Sequence, residues 1–332
     1  MIERIKRLPC LNLFKVLIGL ALLVISLWGV DWDILLESLD QITLTWLLFV
    51  IATVVLSLFL KIFRSFLLLR NFGVKLSFSR ITEAFFLGQA VNFLLPSRGG
   101  DILRLGYMSA DTAFLLPQIT AAVMLEKLLD LIAMTGVALG VSAYLPLERA
   151  FWVRSWLLPL SVGVTIGLLA FILFGPQIWS MLKGWLSRLG FARGKKWLGW
   201  GDQFVRSSLW LRSPRRLFLP VLMTLLIWSL MWGTNRVLFE GLSLQVPLIA
   251  GGLTLILGYI GVLPNLMPGN VGPFYFFVQL GMEPFGVPQE KGLAFTVILH
   301  AIVTLTPLIA SGVSMLVSES VRKAFLNLWK SR

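Results

Sequence analysis

Leu87-Gly88-Gln89-Ala90-Val91-Asn92-Phe93-Leu94-Leu95-Pro96-Ser97-Arg98-Gly99-Gly100-Asp101-Ile102-Leu103-Arg104 is an apolar run broken at its middle by a proline, two glycines and an arginine. It sits inside a longer apolar region, 81–115, neither half of which spans a bilayer comfortably by itself, since a spanning helix needs about 20 residues. Pro and Gly stop a helix where they fall. Broken backbone at membrane depth is tolerated where it is buried in protein or lines a wet cavity. The stretch therefore predicts a re-entrant hairpin. A second region, 248–282, is interrupted in the same way between Pro264 and Pro273 and predicts another.

The rest of the chain supplies the membrane setting. Of 332 residues, 57% are hydrophobic and 14% charged, against about 25% charged in a soluble domain. The mean hydropathy of +0.86 agrees. These values exclude a soluble enzyme, a nucleic-acid-binding domain and a disordered protein. The fold class that follows is an all-α integral membrane protein, a single polytopic domain over 1–332. Full crossings are predicted at about 13–30, 43–62, 118–143, 156–175, 217–238 and 292–318. The first follows a basic start and resembles a signal peptide. It is longer than the usual 7–15-residue signal core and lacks a small-x-small cleavage site, so it reads as an uncleaved membrane helix.

Charge sets the orientation. Segments 1–15, 61–80, 176–216 and 319–332 hold 22 of the 29 basic residues, while the intervening loops hold eight acids and three bases. The positive-inside rule then places both termini in the cytoplasm, and the formal charge of +13 faces an anionic leaflet rather than nucleic acid. Between 177 and 216, Trp179, Leu182, Trp185, Leu186 and Leu189 share a helical stripe, which predicts an amphipathic segment lying in the headgroup region. One cysteine, Cys10, and one histidine, His300, exclude an internal disulfide and a thiolate or poly-histidine metal site.

The two broken regions match one another: Leu87-Gly88 followed by Pro96-x-x-x-Gly100, and Leu257-Gly258 followed by Pro268-x-x-x-Gly272. Each is flanked by crossings, giving units of about 43–143 and 217–318. Three crossings separate their starts, which predicts an inverted repeat of the kind that places a transporter's binding site near the midplane. Gly136-x-x-x-Gly140 and Gly163-x-x-x-Gly167 read as close helix packing, within the chain or in a homodimer.

Ionisable residues at membrane depth need a partner or a purpose. If a helix restarts at Ile102, Asp101 is its N-cap, and Arg98 and Arg104 flank a start suited to phosphate. Equally, Asp101 pairs with one of those arginines and staples the hairpin. Glu126 and Asp130 share a helix face and require a cation. Lys127 lies about 100° away, so an arginine of the first hairpin is the better partner. A coupling carboxylate and a structural ion pair both remain open. His300 reads as a hydrogen-bonded bundle histidine or a proton carrier, Arg236 as a snorkelling residue and Glu83 as solvated. No P-loop, nucleophile turn or metal-binding motif is present.

The run from Phe86 through Asn92, Pro96, Arg98, Gly100 and Asp101 to Arg104 resembles a signature of the lysylphosphatidylglycerol-synthase transmembrane-region family, also called flippase-like or UPF0104 proteins. Val123-Met-Leu-Glu126-Lys127-Leu-Leu-Asp130 is similar to the family's Glu-Arg/Lys-x-x-Asp helix, and Met267-Pro268-Gly269-Asn270-Val271-Gly272-Pro273 to its Pro-Gly-x-x-Gly loop. Phe285-Gly-Val-Pro to Leu299-His300 is similar to the domain's end in one subgroup. Tyr275 stands where many members carry glutamate. The resemblance implies a plasma-membrane flippase for a polar-headed phospholipid or lipid-linked sugar, not an enzyme, with no cofactor or metal and no fused aminoacyl-transferase domain. The substrate-binding set it implies is Asn92, Arg98, Gly100, Asp101, Arg104, Glu126, Asp130, Pro268, Gly269, Gly272, Tyr275 and His300. The expected partners are the lipid phosphate headgroup, and a second copy or an envelope-synthesis enzyme. The rival functions are a membrane-embedded lipid-modifying transferase and a non-catalytic partner of an envelope glycosyltransferase.

Overall fold

The computed structural model describes residues 9–94, 99–110, 115–145, 147–188, 198–199, 201–202, 205 and 214–330. Among these, all regular structure is helical: α1 (Pro9–Leu27), α2 (Trp32–Asp40), α3 (Leu44–Asn71), α4 (Phe78–Leu94), α5 (Gly99–Ser109), α6 (Leu116–Tyr144), α7 (Leu147–Arg188), α8 (Pro214–Gly241), α9 (Leu248–Val262), α10 (Val271–Leu280), α11 (Gln289–Val317) and α12 (Glu319–Lys330). Leu44–Asn71, Phe151–Phe171, Arg215–Gly241 and Gln289–Val317 are long and apolar enough to cross a membrane. The bent pair Leu13–Leu27 and Trp32–Asp40, meeting at 84°, makes a fifth if it is one span. The described helices thus account for four to five such spans where the sequence predicts six; α6 is 29 residues long but carries Glu126, Lys127 and Asp130. Large apolar side chains such as Leu44, Phe49, Ile166 and Leu316 stand exposed around the outside, as lipid-facing surfaces require.

The longest helix-on-helix contact joins α3 and α8, which run antiparallel. Asn71 at the end of α3 donates to the Arg216 carbonyl at the start of α8 (3.0 Å). Arg64 donates to Thr224 (2.8 Å) and Thr234 to Thr53 (2.9 Å), and Trp46 packs on Gly241 at the opposite end. Both helices are 28 residues long, and both end in the same way. Gly73 and Ser243 take positive φ (77° and 54°), and the next amide reaches back to the last helical turn, Val74 to Leu69 and Leu244 to Phe239. That is a left-handed helix stop that satisfies otherwise orphaned carbonyls.

Each cap leads into a broken pair, α4–α5 and α9–α10. In both, the Leu-Gly position is where the arms touch: Gly88 lies against Gly100 and Arg104, and Gly258 against Phe274 and Val278. The end of α4 meets the turn between α9 and α10, with Phe93 packed on Gly269. Because α4 leaves the Asn71 end of the α3–α8 pair and α9 leaves the Gly241 end, the two hairpins approach this meeting point from opposite ends of the bundle. Behind each pair follows a 29-residue helix, α6 and α11 respectively.

Several elements depart from the sequence reading. α3 runs nine residues past the predicted end at 62, carrying Lys61 and Arg64, assigned to the cytoplasm, into the bundle. The supposed loop 31–42 contains α2, started by Asp31, whose side chain accepts from the amides of Asp33 and Ile34 (3.0 and 3.3 Å). The described start of the amphipathic segment, through Arg188, continues α7 past Pro176 as one helix. Its remainder, including Leu189 at the end of the stripe, lies largely outside the described residues. An added methyl at Gly136, Gly140, Gly163 or Gly167 would meet nothing within 4 Å, so these glycines make no close helix contact within the chain.

Candidate functional site

Three helices bring charge into the bundle interior. On α3, Lys61 and Arg64 lie three residues apart and so share a face. On α6, Glu126 and Asp130 do likewise one turn apart. On α5, Arg104 lies one turn inside the helix, against Gly88 of α4.

Arg104 is 3% exposed and binds Glu126 bidentately, Nη1 to Oε1 at 3.2 Å and Nη2 to Oε2 at 3.1 Å; Nη2 also donates to Ser65 Oγ (2.6 Å). Its guanidinium lies over the Phe85 ring (5.4 Å). Arg64, 1% exposed, donates to both Asp130 oxygens (2.7 and 2.9 Å) and stands 4.0 Å from Glu126. Trp228 Nε1 of α8 donates to Asp130 Oδ1 (3.3 Å). A continuous chain of opposite charges therefore runs Arg104–Glu126–Arg64–Asp130 across α5, α6 and α3. Such forks are the strong form of ion pair, and they persist at membrane depth only because each charge has its counter-charge.

A cavity of about 470 Å³ opens beside this chain, lined by Lys61, Asn92, Asp101, Lys127, Tyr259 and Asn270 as well as the four charged groups. A second, less polar cavity of about 340 Å³ lies between α3, α8, α9 and α11. Lys61, Gln89, Tyr259 and Val262 line both.

Of the residues singled out from the sequence, Asn92, Asp101, Arg104, Glu126 and Asp130 converge on the first cavity. The expected hairpin arginine does hold Glu126. Asp130 takes its cation from Arg64 instead. Asp101 is neither an N-cap nor paired with an arginine among the described residues: the helix begins two residues earlier, at Gly99, and Asp101 pairs with Lys127 (3.2 Å). Asn92 accepts from the Gly100 amide (2.9 Å), so Gly100 serves the contact between hairpin arms. Arg98 lies outside the described residues.

Pro268, Gly269, Gly272, Tyr275 and His300 line neither cavity. Pro268 and Gly269 belong to the 3-10 turn Pro268–Asn270, in which Gly269 has φ 69°. Gly272 packs on the Gly19 carbonyl of α1. His300 Nε2 donates to the Gly269 carbonyl (2.8 Å), and its ring meets Phe274 (5.0 Å) and Tyr275 (5.4 Å, edge-on). The second hairpin instead presents Tyr259, Asn265 and Asn270 to the first cavity. These positions hold the turn in shape. Replacing His300 with Ala is expected to cost about 1–3 kcal/mol, the range for stranding a buried acceptor, read as a lower melting temperature in detergent. An unchanged melting curve would show that the Gly269 carbonyl needs no donor.

Arg236 donates to the Val246 carbonyl (2.7 Å) and pairs with Glu240 near the end of α8. Glu83, expected in solvent, accepts from Tyr107 Oη (2.6 Å), which also meets Ser320 of α12 (3.0 Å). Sequence reasoning missed Lys61 and Arg64. The available signal was the apolar residues Ile62-Phe63 and Phe66 to Leu69 around them, which a solvated cytoplasmic segment would not carry.

With this geometry in place, the family model described as lysylphosphatidylglycerol synthase TM region matches residues 12–311, and the chain belongs to that family. No curated protein matches the chain.

Proposed function

We propose that this member of the lysylphosphatidylglycerol synthase TM-region family is a flippase, moving a polar-headed phospholipid or lipid-linked sugar between leaflets. The observation that carries the reading is a charged cavity held inside an apolar bundle, at the point where two broken-helix hairpins meet from opposite ends. Equal helix lengths, matching helix stops and the antiparallel α3–α8 pair favour reading units 43–143 and 217–318 as an inverted repeat, the arrangement that places transporter sites at such a point.

A bare charge at mid-bilayer costs about 2.5–3.5 kcal/mol on insertion scales. A cavity that offers polar partners to the head while tails stay in lipid lowers that cost. In this reading, Glu126 and Asp130 keep the arginines compensated between substrates, and an arriving anion competes for them. No nucleotide-binding loop occurs in the sequence, so movement is passive or ion-coupled. Both termini are assigned to the cytoplasmic side of the plasma membrane, from the distribution of basic residues. A lipid-modifying transferase is less well supported, because Asp101, Glu126 and Asp130 each face their own cation rather than a common centre.

The test is leaflet exposure of a fluorescent phospholipid in proteoliposomes. Protein-dependent exchange well above that of empty vesicles is expected, with a marked loss in Arg98→Ala. Exchange no faster than in empty vesicles would sink the reading, and equal rates for the two proteins would remove Arg98 from it.

A further inference from the structure

Among the described residues, the first cavity is lined by four cations (Lys61, Arg64, Arg104 and Lys127) and three carboxylates. Three of the cations are engaged: Arg64 by Asp130, Arg104 by Glu126 and Lys127 by Asp101. Lys61 is left over. Among the described residues it has no hydrogen bond or ion pair, yet it projects from the middle of α3 into the bundle, where both cavities reach it. Gln89 and Tyr259 share that wall; among the described residues Gln89 has no side-chain partner and the Tyr259 hydroxyl donates only to the Met231 sulfur (3.6 Å). Among the described residues, an ammonium and an amide with unused donors thus line both cavities beside a phenol whose O–H reaches only a thioether sulfur. Lys61 is half-buried, and the carboxylates of Glu126 and Asp130 that face the same cavity are each held by an arginine, so its ammonium has no dedicated partner there.

We propose that Lys61, supported by Gln89 and Tyr259, is the binding point for one negative charge of the phosphate class, a phosphodiester headgroup being the form that matches a single surplus cation. Placed where both cavities reach it, the ammonium holds the anion as it passes from one to the other. The inference deepens the flippase reading and takes its substrate class from it.

Purified full-length protein in detergent is titrated with dihexanoyl phosphatidylglycerol, inorganic phosphate and uncharged dihexanoylglycerol. The expected result is binding of the phosphatidylglycerol, weakened at least about tenfold in Lys61→Met and kept within about threefold in Lys61→Arg, the loss of a charge-assisted hydrogen bond setting the scale. A Lys61 dependence that inorganic phosphate reproduces identifies the free anion as sufficient. One seen only with the lipid identifies the headgroup. Equal affinity of the native and Lys61→Met proteins, or a Lys61-dependent affinity for the uncharged diacylglycerol, overturns the proposal.

Should Lys61→Met fail to fold, the native chain decides. Amine acetylation read by mass spectrometry is expected to modify Lys61, and phosphatidylglycerol to protect it while exposed Lys323, which lines neither cavity, stays reactive. Unprotected or wholly unreactive Lys61 overturns the assignment. Binding in detergent requires no transport. Binding without lipid exchange therefore sinks the flippase reading alone, and exchange without Lys61-dependent binding sinks this one alone.

Discussion

Arg104→Met is expected to destabilise the protein by about 3–5 kcal/mol, the usual cost of removing one partner of a buried ion pair. Glu126 is 4% exposed and would lose both hydrogen bonds from Arg104, leaving Arg64 at 4.0 Å, which is already committed to Asp130. The double variant Arg104→Met/Glu126→Leu is expected to recover most of the loss, because it removes the stranded charge along with its partner. Scanning fluorimetry in detergent checks both. A single variant that melts like the native protein would show that Glu126 is solvated, and the cavity wall would then have to be redrawn.

The second large effect is steric. An added Cβ at Gly100 would overlap the Gly88 carbonyl and come within 2.7 Å of Asn92 Oδ1. The first obstacle is backbone, which cannot swing aside as a side-chain tip can. Gly100→Ala is therefore expected to pry α5 from α4, at a cost of about 1–3 kcal/mol or more for overpacking, and to break the Asn92–Gly100 hydrogen bond. Gly136→Ala supplies the contrast. Its Cβ meets nothing within 4 Å, so helix propensity alone applies and the variant should be as stable as the native chain or up to about 1 kcal/mol more so. Chemical unfolding of the two variants side by side tests the pair. Similar stabilities would mean that the hairpin arms have room to spare.

The hairpins were legible because Pro and Gly clustered together break a helix locally, as between Pro264 and Pro273, whereas a lone proline need not, and α7 carries on past Pro176. Glu126 and Asp130 were legible as a pair needing a cation because helical spacing fixes which side chains share a face. Their partners were only half legible. An arginine from the first hairpin was a sound expectation for Glu126, but Arg64 was counted with the cytoplasmic charges. A hydropathy window ends a crossing at the first cluster of cations, and at Lys61 and Arg64 the α3 helix carries on through them. Pro268, Gly269, Gly272 and His300 were visible as a motif, yet a motif does not say whether a turn faces a cavity or a neighbouring helix.

Composition, apolar run length and the two interruptions determined by themselves that this is a helical membrane protein with broken segments, since these follow from burying backbone polar groups in lipid. Only the tertiary structure decided which charges meet. Ion pairing between helices depends on their rotation and depth, which packing sets, and that places Arg64 of α3 on Asp130 of α6 and leaves Lys61 facing open space.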